Sequence, residues 1–466
     1  MSSKRQRRSN RQGELFRRSI TPVIAIEENH RLVRLTDELD WTELEELVQE
    51  IRASKLKSQA GRPPHLRALI GAVVLRATRR MTYRDTEDQI RHYAPARYLC
   101  GLTETTWTPD TNTIQDFEEL LGQDGMKRIN EYVVQQAVEE ELADSSLLVA
   151  DTTAQEAAIP YPNEMGLMAT FLAAVATAST KAGGALKAFA KRVVERFRAG
   201  KKKLREYRLF AKDKTKKAKL KLMAEMADVV EAVQAKLATA VRAAEPNKNR
   251  LVGYAKVAHA KAKRLHETMT KLLPQIRYWI RTGWVAANKI VNVHVPELYS
   301  VVRGKIGKPV EFGLQWGIAR LGGGFLLATV ASNRREIVDA RFAIRAVDDH
   351  IALFGKAPQA YAYDRGGYSE QNVIEVKHKG VKQVGLAPKG RARWAVQGAM
   401  KEKLVSERAQ VEGGIGGIKS GRYGFNRPSA RSTAMMGVCG QRAVLGFNLN
   451  KLARGLAERD AMVLVG

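Results

Sequence analysis

The spacing of apolar side chains changes several times along the chain, and those changes divide it. From about 31 to 140 apolar positions recur at three and four: Leu66, Leu69, Ile70, Val73 and Val74 follow the start signal Pro63-Pro64. Thr108-Pro109-Asp110 punctuates the pattern, and the helical period resumes over 113–121. A small all-helical domain is expected there. At Leu147-Leu148-Val149-Ala150 the texture becomes a short continuous apolar run, which predicts a buried strand stopping at Asp151. Beyond Pro160 the helical period returns. Phe189, Val193, Val194 and Phe197 keep it inside a dense Lys/Arg series over 187–221, predicting a long basic helix or helical hairpin. Helix is expected to continue to about 289, with breaks near Pro246 and Pro274.

Strand texture reappears over 290–295, 299–302, 310–319 and 325–331, separated by Gly304, Gly307 and Gly322-Gly323-Gly324, and reads as a meander. A helix over 344–354, a strand over 360–363 ending at Asp364 and a short strand over 382–386 follow. A helical region from 406 to about 454, interrupted at 424–428, closes the chain. No internal repeat is visible.

Composition narrows the function. The 466 residues carry 78 Lys+Arg against 49 Asp+Glu, a formal net charge of +29. At about 150 residues per domain this length suggests two to four structural units. The charge argues against an ordinary metabolic enzyme and for a polyanionic partner, of which nucleic acid is the commonest. Residues 1–30 read as a basic tail, either lying along phosphates when bound or merely solubilising. The tail has no apolar segment behind it, and no run of about 18 apolar residues occurs, so neither a secretory signal nor a membrane span is expected. A cytoplasmic location follows. Cys100 and Cys439, the only cysteines, exclude a disulfide scaffold and a four-cysteine zinc site.

Two aspartates close apolar strands: Asp151 in LLVADTTAQE and Asp364 in AYAYDRGGYSEQN. A carboxylate at a strand end sits where core becomes cleft, although an Asp there also caps turns. A third acidic feature is Arg408-x3-Glu412-x6-Lys419, whose spacings of four and seven share one helix face. Gly413, Gly414, Gly416 and Gly417 make that helix poor by propensity, which suggests close packing or close approach of a backbone. Taken alone, the Arg-Glu pair is also what a solvated surface helix carries. Together, three carboxylates in a basic chain suit phosphodiester chemistry, because hard divalent cations prefer carboxylate oxygen and two such ions stabilise the attacking and leaving oxygens.

With these motifs the chain resembles a DDE-class transposase of a bacterial insertion sequence, of the branch with a helical N-terminal domain and an Arg-x3-Glu-x6-Lys signature. Arg408, Glu412 and Lys419 match that spacing, while the Tyr that commonly precedes the Arg by three is Val405 here. DTTAQE, VRGKIGKPVEFG, YDRGGY and GFNLNKL also read like blocks of this family, so the resemblance covers most of 60–455. It implies an α+β or α/β chain: an RNase H-like mixed-sheet core over 141–165 and 290–456, an all-helical DNA-binding or dimerisation domain over 31–140, and a large basic helical insertion over 166–289. In many relatives the large insertion lies later, just before the last carboxylate.

The resemblance further implies Asp151, Asp364 and Glu412 as catalytic and metal-binding residues holding two Mg²⁺ (or Mn²⁺) ions. The implied activity is binding of the element's terminal inverted repeats, metal-dependent cleavage of its ends and joining of the 3′-OH to target DNA. A stand-alone RNase H-like nuclease or resolvase and a domesticated, non-catalytic DNA-binding protein are the alternatives. The expected partner is double-stranded DNA, of the element ends and the target, bound by a homodimer in the bacterial nucleoid without membrane involvement. DNA contacts are expected from Arg408, Lys419, Lys201, Lys202, Lys203, Arg303 and Lys305. The insertion is expected to clamp DNA or form the dimer, a solvated hairpin being the plainer reading. Trp316 and Trp394 are either buried or stacked on an unpaired base, and His294, His350 and His378 lack metal-ligand spacing. Residues 113–121 or 82–92, the latter with Arg84, Asp88, Gln89 and Arg91, are the expected base-reading helix.

Overall fold

The computed structural model describes residues 26–56, 64–181, 185–209, 215–305, 308–331 and 336–463, so most of the basic tail lies outside them. The chain divides into two compact units, Met1–Leu121 with Leu445–Gly466, and Gly122–Val444. Among the described residues no helix is long and apolar enough to cross a membrane.

The first unit is helical: α1 (Arg31–Glu38), α2 (Trp41–Lys55), α3 (Leu66–Arg79), α4 (Tyr83–His92), α5 (Ala94–Leu99) and the start of α6 (Thr111–Glu139). Every residue of α3 from Ala68 to Thr78 is buried, the signature of a central helix. Its one deeply buried charge, Arg76, bonds Glu118 and lies 3.5 Å over the Tyr83 ring. Tyr83 donates to the same carboxylate at 2.9 Å. The sequence break between α3 and α4 is explained by a capping box, in which Thr82 and Asp85 satisfy each other's backbone amides. Gly122, at φ 59°, interrupts α6 where the units divide.

In the second unit, strands β1 (Asp144–Glu156), β2 (Tyr299–Lys305), β3 (Lys308–Gly322), β4 (Leu326–Val330), β5 (Ala360–Tyr363) and β6 (Gln383–Leu386) form one mixed sheet in the order β2-β3-β1-β5-β6, with β4 also on β3. β2, β4 and β1 run antiparallel to β3, whereas β1, β5 and β6 are parallel. Helices α11 (Asp339–Phe354), α12 (Glu370–His378) and α13 (Gly398–Lys419) belong to this unit, and α14 (Thr433–Val463) begins in it and continues into the first, which takes Leu445–Gly466. α11 and α13 cover opposite faces of the sheet. Phe342 of α11 fills the space left by Gly317 of β3, while Leu404 of α13 fills that left by Gly385 of β6. On the α13 side Arg320 of β3 donates to Glu407 and Gln410, each at 2.5 Å.

Between β1 and β2 the chain forms α7 (Glu164–Lys181), α8 (Ala185–Leu209), α9 (Lys216–Ala244) and α10 (Gly253–Thr282). These pack as a four-helix bundle with its own core, in which Phe171, Met226, Val230, Leu237, Met269 and Leu272 are fully buried. The long basic helix or helical hairpin expected over 187–221 is two helices, α8 and α9, which pack with α7 and α10. Pro274 breaks no helix: α10 runs through, with Leu272, Leu273 and Ile276 buried on either side, because packing outweighs the roughly 3 kcal/mol that an interior proline costs.

Other expectations are corrected. Residues 290–295 form no strand; Ile290 and Val293 join the bundle core, and Asn292 Oδ1 accepts from the amides of His294 and Val295 in a turn. A short apolar run does not specify strand without a partner. β1 does not stop at Asp151 but continues to Glu156, paired throughout with β3. α12, with buried Val376, had no apolar period to announce it.

Candidate active site

Asp151 and Asp364 are brought together by strand register. β1 and β5 pair in parallel at Leu147–Ala360, Leu148–Tyr361 and Val149–Ala362. Two residues beyond that last pair stand Asp151, still within β1, and Asp364, just past the end of β5. The parallel pairing ends there while β1 goes on with β3, so the aspartates sit at a notch in the sheet edge. Side chains alternate across a strand, so Asp151 falls on the same face as Val149. The register partner of Val149 is Arg320, which bonds α13, so this is the α13 face.

The structure adds a third carboxylate, Asp339, the first residue of α11. One ligand oxygen from each of Asp151, Asp339 and Asp364 lies within 4.8 Å of the others, and all three side chains are half-buried. Asp339 Oδ1 accepts from Thr152 Oγ1 at 2.6 Å and from Tyr363 Oη at 3.4 Å. Its approach needs glycine at 366: a Cβ there would lie 2.5 Å from Asp339 Oδ2. Gly366 also donates its amide to Asp364 Oδ1 at 2.8 Å, closing the turn after β5.

The electrostatics are those of crowded like charges. Burial, and then the Asp339 carboxylate, push Asp364 above its ordinary value, while the amides of Gly366 and Gly367 and the Arg408 guanidinium pull the other way. The phenols of Tyr361 and Tyr363 beneath are driven well up, chiefly by burial. Three carboxylates this close suit a hard divalent cation, which accepts several oxygens and cancels their repulsion. Among the described residues this is the single group of three or more His, Cys, Asp or Glu side chains with that spacing, and no histidine joins it.

The remaining expected residues are more dispersed. Glu412 is on α13, exposed, and is not part of the close cluster. Arg408, one turn before it, is half-buried and near enough to act on Asp364. Lys419 ends α13, half-buried. The α13 glycines do not share one reason: Gly414 lies against Leu326, whereas Gly413 and Gly416 face open space. Lys201 and Lys202 are exposed on α8, but Lys203 is paired with Glu225 of α9. Arg303 and Lys305 fall on β2, with side chains outside the described residues.

Trp316 is fully buried, donating to Gln155 Oε1 at 3.1 Å and packed on Phe425, so it stacks on no base. Trp394 is half-buried beside Lys401. On α4, Arg84, Asp88 and Arg91 are exposed and Gln89 half-buried. The exposed side chains of 111–121 include Asp116 and Glu119. Asp339 was missed because nothing in VDARFAIRAV distinguishes it from a first-turn acid at a helix start, which is common for helix-dipole reasons alone.

Residues 23–120 match the family model of a transposase domain (DUF772), and that stretch falls in the first unit. The match supports a transposase-family protein. No curated protein and no solved structure matches the chain.

Proposed function

We propose that the chain is a DDE-class DNA transposase with an RNase H-like core, which binds the terminal inverted repeats of an insertion sequence, hydrolyses a phosphodiester at each end and joins the freed 3′-OH to target DNA. The observation that carries this reading is the register of β1 and β5, which sets Asp151 beside Asp364 in the unit that follows a transposase domain. Supporting it, three antiparallel strands flank one side of β1 or lie beyond it, two parallel strands flank the other, and a helix covers each face, an arrangement expected of an RNase H-like core.

Asp151 and Asp364, with Asp339, are placed to hold Mg²⁺ or Mn²⁺; bound there, two such ions would stabilise the attacking and leaving oxygens of phosphoryl transfer. Glu412 belongs to the same reading. It stands one helical turn from Arg408 on the helix that covers the Asp151 side of the sheet, and Gly413 and Gly416 beside it leave room for a DNA backbone. Arg408 braces this carboxylate group, and Lys419 offers a cation to a phosphate near the cut. Affinity comes from elsewhere: Lys201 and Lys202 on the bundle contact the DNA backbone, Arg303 and Lys305 on β2 do likewise, and α4 of the first unit reads base edges, since the outward face of 111–121 is acidic. A homodimer on two DNA ends completes the complex.

Incubating the purified full chain with end-labelled element DNA and Mg²⁺ tests the proposal. Cleavage and joined products are expected, with cleavage lost and terminal binding retained in Asp151→Ala, Asp364→Ala and Glu412→Ala. Near-normal cleavage by one variant removes that residue from the site. Cleavage without joining makes the protein a nuclease or resolvase, and binding without cleavage makes it a non-catalytic DNA-binding protein.

A further inference from the structure

The bundle and the loop after β1 enclose a groove of about 380 Å³, in the size range of small-ligand sites, which is about 300–1,000 Å³. Its walls are apolar: Leu167 of α7, Phe197 and Leu204 of α8, and Val293 of the turn before β2. Its rim carries Lys201, Arg208 and His294, and none of the lining residues is acidic. Lys201 sits 5.0 Å over the Phe197 ring, holding an ammonium at the edge of the apolar floor.

At the mouth stands Tyr161, 77% exposed yet held edge-on at 5.4 Å by Phe312. An exposed ring with a fixed orientation is a stacking platform. The loop that carries it leaves β1, where Glu156 lies five residues from Asp151, about 17 Å at roughly 3.3 Å per residue. Tyr161 follows five residues after Glu156, so the chain sets it at most about 36 Å from Asp151.

We propose that this groove binds one unpaired nucleotide of a DNA single strand, with its base against Tyr161 and the apolar walls and its phosphate at Lys201 and Arg208. The choice of DNA over another amphiphilic anion rests on the transposase reading above.

The test uses the full chain with a short single-stranded oligonucleotide containing 2-aminopurine and a blunt duplex of the same sequence. Wild type is expected to quench the probe. Thr170→Trp, which fills the groove, should abolish the quench and weaken single-strand binding about tenfold, the scale of one lost base stack, leaving duplex affinity unchanged. Tyr161→Ala, which removes an exposed ring, should weaken single-strand binding and leave duplex affinity unchanged, and it decides the matter if circular dichroism shows Thr170→Trp unfolded; Lys201→Glu/Arg208→Glu, which changes exposed side chains only, should weaken single-strand binding as well. Wild-type quenching and affinity in the folded variants overturn the proposal. So does a charge-reversed protein that keeps the oligonucleotide but loses phosphatidylglycerol vesicles. If wild type binds neither single strand nor duplex, the transposase reading falls as well; duplex binding without a groove effect sinks this inference alone.

Discussion

Replacing Asp339 by Asn separates a working carboxylate from a merely structural one, because Asn keeps an oxygen for Thr152 and Tyr363 while removing the charge. Its ligand oxygen lies at most 4.8 Å from those of Asp151 and Asp364. Two unit charges at that separation repel by about 3.5 kcal/mol at an effective dielectric of about 20 and by about 0.9 kcal/mol in water. The half-buried site lies between these limits, so each pair costs about 1–2 kcal/mol. The substitution removes two of the three repulsive pairs. Against that, α11 loses a favourable charge at its N-terminus, about 0.3–1 kcal/mol. The metal-free protein should therefore be stabilised by about 1–3 kcal/mol, a rise of a few degrees in Tm. Mg²⁺ or Mn²⁺, whose stabilisation follows its affinity for the folded state, should raise Tm less in the variant than in wild type. Calorimetry with and without metal, near pH 8, reads both. Thr152→Val is the control. It deletes the 2.6 Å hydrogen bond and keeps the charges, so it should lower metal-free stability by about 1 kcal/mol and leave the metal increment intact. A variant Asp339→Asn that melts lower than wild type without metal and gains as much from Mg²⁺ would refute the reasoning.

Neutralising Lys201 and Lys202 should flatten the slope of log affinity against log salt by about 1.8 if each contacts a phosphate, and adding Lys203→Ala should change it little further because Glu225 already holds that ammonium; salt titrations of duplex binding check this. Cys100 is wholly buried and its thiol is pushed up to about 12, so a thiol reagent at pH 8 should label it only after unfolding. His30 Nδ1 accepts the Leu32 amide at the start of α1, and burial, then Arg79 and Arg31, hold its pKa below 6.5. A depressed histidine contributes its stability fully above 6.5 and loses it as pH falls toward the folded value. Hydrogen exchange at the Leu32 amide, corrected for intrinsic rates, should show more frequent opening of α1 at pH 5.5 than at pH 7.5, and equal opening in His30→Ala at both would support that origin.

Much of the local structure is legible in the chain itself. Residues 360–363 are a buried strand and Asp364 follows it directly, because four apolar positions between polar turns can only be satisfied inside a sheet. The basic run around Lys201 and the helical period of α3 are equally plain. Tertiary structure decided the rest. The end of β1 is hidden in sequence, because Thr152, Thr153 and Gln155 are polar yet buried, Thr152 donating to Asp339 and Gln155 to the carbonyls of Phe425 and Met436. The strand meaning of 290–295 dissolved because its apolar side chains found a helical bundle to fill. Glu412 was marked by spacing alone, and spacing along a helix specifies a face and not a distance to another strand. Asp339 had no mark: it reaches Thr152 across 187 positions of sequence because Gly366 has no Cβ and α11 is anchored on β3 by Phe342. Periodicity reports which faces are buried; which carboxylates share one notch depends on strand register and the docking of a helix end, and neither is encoded within any one segment.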